Sequence, residues 1–175
     1  GGGVGVRELS SEQRFVEDFG LFLEQVGFPR IAGRILGLLL VHGVPMHLEQ
    51  IATILEVSRA SVSTNTRLLI GVMLIEQRTQ PGDRRTWFTV RPDAFRRRFG
   101  FIIAQFSSTT QLLDQGLAAV PPEREQARQL LEGAVEFHRF MVQEMIAMSQ
   151  RWDALHGDPS DERWREISPD SEESR

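Results

Sequence analysis

The chain has 175 residues, a net charge of −4 and 41% hydrophobic residues, which suits one domain, or one domain with a helical appendage. It contains no cysteine, so disulfides, thiolate metal sites and cysteine nucleophiles are excluded. No apolar run approaches the roughly 20 residues that a membrane-spanning helix needs, and no signal-peptide pattern is visible, so we expect a soluble cytoplasmic protein.

Two helices are predicted near the start of the chain. The first begins after Ser10, which has the capping-box spacing to Gln13, and ends at Gly27. Its expected buried stripe is Phe15, Phe19, Phe22, Leu23 and Val26. The second begins at Pro29 and ends at Gly43, with an expected buried stripe of Ile31, Ile35, Leu38 and Leu39. Residues 1–9 open with Gly1-Gly2-Gly3 and no initiator methionine, and are expected to be a disordered N-terminus or the remnant of an expression tag.

A compact pair of helices follows a short extended connector, Pro45-Met46-His47. The first helix of the pair spans residues 48–55, and its expected inward residues are Leu48, Ile51, Ala52 and Leu55. A tight turn leads to Ser58, which caps a second helix over about residues 59–72, with Val62, Leu68 or Leu69, and Val72 inward. Two helices that cross at about 90–120° need a small side chain such as Ala52 at the crossing. The pattern predicts a helix-turn-helix.

Two β-prone runs come next, over residues 74–80 and 86–90. They flank Pro81-Gly82-Asp83-Arg84-Arg85, whose turn-forming residues indicate a hairpin. Because this hairpin directly follows the second helix of the pair, it predicts the wing of a winged helix-turn-helix.

Two long helices are predicted in the C-terminal half. The first starts at Pro92-Asp93 and breaks at Pro121-Pro122, with an apolar stripe at Phe95, Phe99, Ile102, Phe106 and Leu113. The second spans about residues 123–155, and its apolar seam alternates steps of four and three, as in a coiled coil. The seam is Ala127, Leu131, Ala134, His138, Met141, Met145, Met148, Trp152 and Leu155.

The predicted fold class is therefore mainly α with a small β-hairpin wing. A winged helix-turn-helix domain is expected over residues 10–91 and a helical dimerisation region over residues 92–156. Residues 157–175 are polar and acidic and contain two prolines, so a disordered tail is expected there.

Charge is segregated along the chain. Residues 58–98 contain nine arginines and three acidic residues, a net charge of +6, whereas residues 1–57 carry −3 and residues 99–175 carry −7. A cationic segment inside an acidic protein is typical of phosphate binding. All 20 basic residues are arginine, which suits bidentate contacts to phosphate and guanine.

The stretches 58–69 and 81–88 carry a family resemblance. The first reads Ser-x-x-x-Val-Ser-x-Asn-x-Arg, and the second begins with a Pro-Gly-x-Arg wing that is followed by aromatic residues. Both resemble the GbsR branch of the MarR-like regulators, over about residues 12–95. The resemblance implies a homodimeric repressor. The founding members of that branch respond to choline or a related quaternary amine, but no amine cage can be mapped onto this chain. One departure is Glu56, which stands where many relatives have glycine and is expected to adopt a left-handed or bridging conformation.

Eight residues are the candidates for DNA contact: Arg59, Ser61, Ser63, Thr64, Asn65, Arg67, Arg84 and Arg85. The hydroxyl groups and Arg67 are expected in the major groove, and Asn65 either reads adenine or caps a backbone group. Arg59 opposes the helix dipole, which favours a phosphate partner. Arg84 and Arg85 belong at the wing tip, near the minor groove. If they alternate along a strand, only one of them points at DNA.

Three further groups of residues each have two possible interpretations. Arg96, Arg97 and Arg98 either flank the DNA site or form the solvated side of a dimer helix. His138 is either a packed seam residue or a ligand or pH switch, with packing favoured. The row of Met141, Met145 and Met148 and the phenylalanine stripes are either core and dimer interface or the lining of an effector pocket.

The pattern as a whole favours a sequence-specific regulator, a repressor that binds double-stranded DNA as a homodimer on a pseudopalindrome. A small-molecule effector that relieves repression is an open addition, and no cofactor or metal is expected. The alternatives are a winged-helix adaptor for protein interactions and a non-specific DNA-binding protein. No catalytic constellation is present in the sequence.

Overall fold

The computed structural model describes residues 9–157, so the predictions for residues 1–8 and 158–175 lie outside the described range. Within it the chain forms six helices and three short strands, in the order α1 (Ser11–Gln25), α2 (Arg30–His42), β1 (Met46–His47), α3 (Leu48–Leu55), α4 (Arg59–Gly71), β2 (Ile75–Arg78), β3 (Trp87–Val90), α5 (Ala94–Ala119) and α6 (Glu125–His156). The chain divides into two compact units, with the boundary between Ala94 and Phe95.

Helix α1 begins as the sequence predicts, but it buries a different face. Gln13 N donates to Ser10 Oγ at 3.2 Å, and Ser10 N donates to Gln13 Oε1 at 2.9 Å, which completes the capping box. The buried residues are Val16, Gly20 and Leu23. The predicted stripe is therefore wrong at Phe15, Phe22 and Val26, which are exposed.

The physical reason is a glycine contact between α1 and α2. A Cβ atom on Gly33 would lie 2.7 Å from the carbonyl oxygen of Phe19 and 2.8 Å from the Cα atom of Gly20. Because only glycine permits so close an approach, the two backbones meet at small residues. The bulky aromatic side chains of α1 are turned away from the contact.

The core of the first unit lies between α2 and the helix-turn-helix pair. Its fully buried residues include Ile35 on α2, Ile51 on α3, and Val62 and Leu69 on α4. The alternative that the sequence left open is thereby settled, because Leu69 is buried and Leu68 is exposed. Burial of these side chains fixes the rotation of α4 about its own axis, and so determines which of its residues can meet a ligand.

The turn between α3 and α4 has the conformation expected of its unusual residue. Glu56 adopts a left-handed conformation, with φ 54° and ψ 44°. Val57 N donates to Ala52 O at 3.0 Å, which closes a Schellman motif at the end of α3. The helix-turn-helix is therefore formed without a glycine in its turn.

The wing hairpin is present, and a third strand joins it. The order in the antiparallel sheet is β1-β3-β2, with Met46 opposite Phe88 and His47 opposite Trp87. The residues predicted as an extended connector thus form an edge strand that ties the start of α3 to the wing. Strands β2 and β3 are shorter than predicted, so residues 79–86 form the loop at the wing tip.

The second unit consists of α5 and α6, separated by a break at residues 120–124, where the sequence places Pro121-Pro122. The two helices are joined by side chains: Arg139 Nη2 donates to Asp114 Oδ1 at 2.7 Å, and the rings of Phe106 and His138 are 5.6 Å apart. Arg128 Nη1 also donates to Val120 O at 3.1 Å.

The predicted seam of α6 is not one buried row in this protomer. The buried residues of α6 are Val135, Met145 and Ser149, whereas Met148, Trp152 and Leu155 of the predicted seam are exposed. The apolar residues of α6 encircle more of the helix than the single helix α5 can cover, because two packed helices bury only one side of each other. His138 is half-buried, with Nδ1 2.8 Å from the carbonyl oxygen of Ala134.

Candidate nucleic-acid interface

The exposed face of α4 carries most of the predicted contact residues. Ser58 caps the helix, since Ser61 N donates to Ser58 Oγ at 3.1 Å. Thr64 and Arg67 are exposed, and the side chain of Arg59 is 72% exposed. Ser61 and Ser63 are half-buried. The exposed row therefore combines a hydroxyl group and guanidinium groups, and it runs from the first residue of α4, Arg59, to Arg67 in its C-terminal half.

Asn65 does not belong to this exposed face. It is 7% exposed, and its Nδ2 donates to the carbonyl oxygen of Ser61 at 2.8 Å. Of the two predicted roles, the geometry matches the contact to a backbone group, because the side chain is buried and bonded within its own helix. Within residues 9–157 the Asn65 Oδ1 atom is buried without a hydrogen-bond partner.

The two wing arginines behave differently. Arg85 folds back onto Asp83, with Nε 3.0 Å from Oδ1 and Nη2 2.7 Å from Oδ2, and its guanidinium lies 5.2 Å from the centre of the Trp87 ring. Arg84 is exposed and makes no hydrogen bond or ion pair among the described residues. Only Arg84 extends freely from the wing tip. The cause is not the predicted strand alternation, because both residues lie in the loop.

Asp83 is the centre of the wing tip. Its carboxylate accepts hydrogen bonds from the Arg85 side chain, from the Arg85 backbone N–H at 2.9 Å and from the Trp87 indole at 3.1 Å. These bonds favour the charged form, so the pKa of Asp83 is held well below its ordinary value, with the Arg85 side chain as the largest cause. The wing tip is therefore locked by a charge that persists in mildly acidic solution.

The start of α4 is connected to the start of α3. Arg59 Nη2 lies 2.7 Å from Glu49 Oε1, and Glu49 Oε2 lies 3.1 Å from His47 Nδ1. A bond to its own backbone, the His47 ring and the Arg59 charge lower the pKa of Glu49. Arg59 thus has a carboxylate partner in this structure, whereas the sequence predicted a phosphate.

Sequence reasoning missed four residues of this surface: His47, Glu49, Asp83 and Trp87. In the sequence, His47 is assigned only to the extended connector before the helix-turn-helix. A usable signal was present, since His47 stands directly before a helix and Asp83 stands two residues before an arginine, at a spacing that local side-chain bonding favours.

The cationic segment is less available for phosphate than its net charge suggests. Arg78 pairs with Glu76 at 2.7 Å, Arg91 pairs with Glu76 at 3.2 Å, and Arg96 pairs with Asp153. Arg96 and its partner Asp153 both belong to the second unit. Arg67 and Arg84 are the cations of this segment that are exposed and have no ion pair or hydrogen-bonding partner for their side chains within the described part of the chain.

The described residues provide neither a metal-binding cluster nor a membrane-spanning helix. Among residues 9–157, no group of three or more histidine, aspartate or glutamate side chains could hold a metal ion. None of the helices in that range is both long and apolar enough to span a membrane.

The chain is similar to known transcriptional regulators. The family model for MmpR5-like MarR family transcriptional regulators matches residues 93–156. The HTH-type transcriptional regulator MmpR5 of Mycobacterium tuberculosis (strain ATCC 25618 / H37Rv) is 39% identical over 127 residues, which are 69% of this chain and 77% of the relative. A crystal structure of a transcriptional regulator matches with a TM-score of 0.71 at 33% identity, over 83% of this chain and 99% of the other. The chain belongs to the MarR family of transcriptional regulators, which are DNA-binding proteins and not enzymes.

Proposed function

We propose that the protein is a homodimeric, cytoplasmic repressor that binds a pseudopalindromic DNA duplex through α4 and the wing of each protomer. The observation that carries the proposal is the unbroken chain of contacts from Arg59 at the start of α4, through Glu49 and His47, to Arg85 at the wing tip. These contacts connect α4 to the wing, which supports a single DNA-binding surface made of both. Arg67 and Arg84 are exposed, and neither side chain has an ion pair or hydrogen bond within residues 9–157.

The paired arginines fit this function as well. An exposed ion pair contributes about 0–1 kcal/mol, so a DNA phosphate can replace Glu49 as the partner of Arg59 at little cost. Each phosphate that is neutralised releases counterions, which drives association at low salt.

The homodimer is proposed from the apolar side chains that one protomer leaves uncovered. On α6 they include Phe137 and Phe140, which are 57% and 58% exposed, and on α1 they include Phe15 and Phe22. Apolar patches of this kind mark interfaces. A second copy that covers them would supply the second recognition helix, at about 34–36 Å from the first.

Three finer points complete the proposal. Membership of the GbsR branch rests on the motifs at residues 58–69 and 81–88 alone. Relief of repression by a small molecule is part of the proposal, and no residue is assigned to that effector. The domain roles follow the predicted division, with DNA binding in residues 10–91 and dimerisation in residues 92–156.

The test is selection from a random duplex pool by the purified full chain at moderate salt, with the oligomeric state measured by sedimentation. A dimer that enriches a pseudopalindrome with half-sites about one helical turn apart is the expected result. A variant that lacks both Arg67 and Arg84 should lose the enrichment, while Arg14→Ala, which removes an exposed arginine from α1, should retain it. Recovery of no enriched sequence by a folded dimer would favour the adaptor or a non-specific DNA-binding protein.

A further inference from the structure

His47 lies at the junction between the helix-turn-helix and the wing. Its side chain is 12% exposed, and its ring packs edge-on against the Trp87 ring, with 5.0 Å between centroids and 86° between planes. It also stands opposite Trp87 in the pairing of β1 with β3. The imidazole is therefore packed against the β3 strand of the wing.

Both ring nitrogens meet charged partners. Nδ1 is 3.1 Å from Glu49 Oε2, and Nε2 is 3.1 Å from Arg85 Nη1. Arginine can only donate and a carboxylate can only accept. Both contacts are satisfied together when the ring is neutral and carries its proton on Nδ1, so that Nδ1–H donates to Glu49 and Nε2 accepts from Arg85.

The same nitrogen cannot also cap α3. Gln50 N lies 3.4 Å from His47 Nδ1, the longest of the three contacts of the ring nitrogens, and an Nδ1 that carries a proton does not accept. The cap that remains is the bond from His47 N to Gln50 Oε1 at 3.0 Å. The ring thus links Glu49 of α3 to Arg85 of the wing, and the N-terminal cap of α3 depends on Gln50.

We propose that His47 is a positioning residue of the DNA-binding surface, which tethers the wing tip to α3 by accepting a hydrogen bond from Arg85. Glu49 fixes the tautomer that makes this possible, and Asp83 holds the other edge of the same guanidinium. Because Arg85 is clamped from both edges, the distance between the wing tip and the recognition helix is set before DNA arrives. The part of the inference that concerns DNA affinity rests on the proposed function, and the tether itself does not.

The variant that tests the tether is His47→Asn. Asparagine is a favoured N-cap, so α3 keeps its cap, but the shorter side chain has no atom in the place of Nε2. The matched control is His42→Asn, since His42 is exposed at the end of α2 and its Nδ1 contacts only Leu38 O of its own helix.

The first measurement uses the free protein. Hydrogen exchange of the Trp87 indole N–H and of the Arg85 backbone N–H, both bound to Asp83, is followed by NMR. We expect His47→Asn to speed both about tenfold through local opening, while the backbone N–H of Ile35, which is buried in the core on α2, and the His42→Asn control stay unchanged. Unchanged exchange at the wing would overturn the tether. An acceleration that reaches Ile35 equally would also overturn it, because His47 would then act on global stability.

The second measurement is a double-mutant cycle on the duplex that the wild-type chain selects. We expect His47→Asn and Arg85→Ala each to weaken binding about fivefold, and the double variant to bind no more weakly than Arg85→Ala alone, because His47 acts through Arg85. Losses that multiply would overturn the positioning role. If the wild-type chain selects no duplex, the proposed function fails, and the exchange measurement still decides whether the tether exists.

Discussion

Replacement of Glu56 by glycine should stabilise the protein. Helices α1, α3 and α4 end in the same pattern of hydrogen bonds, in which the residue after the left-handed one donates its backbone N–H to a carbonyl oxygen of the last turn. The left-handed residues are Gly27 after α1, Glu56 after α3 and Met73 after α4. Glycine adopts this conformation freely, whereas an L-residue is destabilised there because its Cβ atom comes too close to a carbonyl oxygen. Glu56 therefore carries a strain that Gly27 does not.

The magnitude follows from two opposing effects. A left-handed residue other than glycine costs about 1–2 kcal/mol, and glycine loses about 0.5–1 kcal/mol more backbone freedom on folding. The net gain in the free energy of unfolding should be about 0.5–1 kcal/mol, which raises the melting temperature of a chain of this size by roughly 1–4 °C. The exposed Glu56 carboxylate makes no ion pair in the described residues, so nothing else is lost.

The assay is thermal unfolding followed by circular dichroism, with Glu144→Gly as the matched control. Glu144 is exposed in the interior of α6, where glycine costs about 1 kcal/mol relative to a good helix former. The same chemical change should therefore have opposite signs at the two positions. If both variants lose stability equally, the left-handed conformation of Glu56 carries no strain that glycine relieves, and the reasoning is wrong.

Four further predictions can be checked with standard measurements. Arg84→Ala should weaken binding to the selected duplex and reduce the salt slope of the affinity by about one unit, measured by anisotropy; an unchanged slope rules out a phosphate contact. The Asp83 carboxyl should not titrate near its ordinary value of about 4 in a carbon-detected NMR titration, because its pKa is lowered. The stability that the charged Asp83 carboxylate contributes is thus fully present above its ordinary pKa and is lost only as the pH falls through the depressed pKa. A titration midpoint near the ordinary pKa would contradict the wing-tip geometry. Asn65→Ala should lower the free energy of unfolding by about 1 kcal/mol, through the lost backbone contact, without a change in the selected sequence; an altered base preference would return Asn65 to the groove. Gly33→Ala should destabilise the protein to denaturant by about 1–3 kcal/mol, because its Cβ atom meets backbone of α1; a neutral result means that the helices separate easily.

Much of the fold was predictable because it depends on neighbours in sequence. The Ser10 and Ser58 caps, the left-handed turn at Glu56 and the break at residues 120–124 are each decided within a few residues. Capping and turn chemistry act over that range, so the boundaries of the helices could be predicted from the sequence alone. The hairpin after α4 followed for the same reason.

The faces of the helices were harder to predict because they depend on the partner helix. The aromatic residues of α1 have helical spacing, yet the buried face is the one with Gly20 opposite Gly33 of α2. On α6, the apolar residues surround more of the helix than one neighbour covers. Periodicity detects that a face exists, but the identity of the packing partner selects which face is buried.

The candidate site divides in the same way. The sequence alone determined that a capped helix rich in hydroxyl and guanidinium groups precedes a basic hairpin, and hence that the chain is a winged helix-turn-helix regulator. Only the tertiary structure decided that Asn65 turns inward, that Arg85 is held by Asp83 and His47, and that Arg84 has no partner within residues 9–157. Residue 47 and residue 85 are 38 positions apart. A hydrogen bond between them exists only because β1 pairs with β3, and contacts that depend on such pairing cannot be read from local spacing.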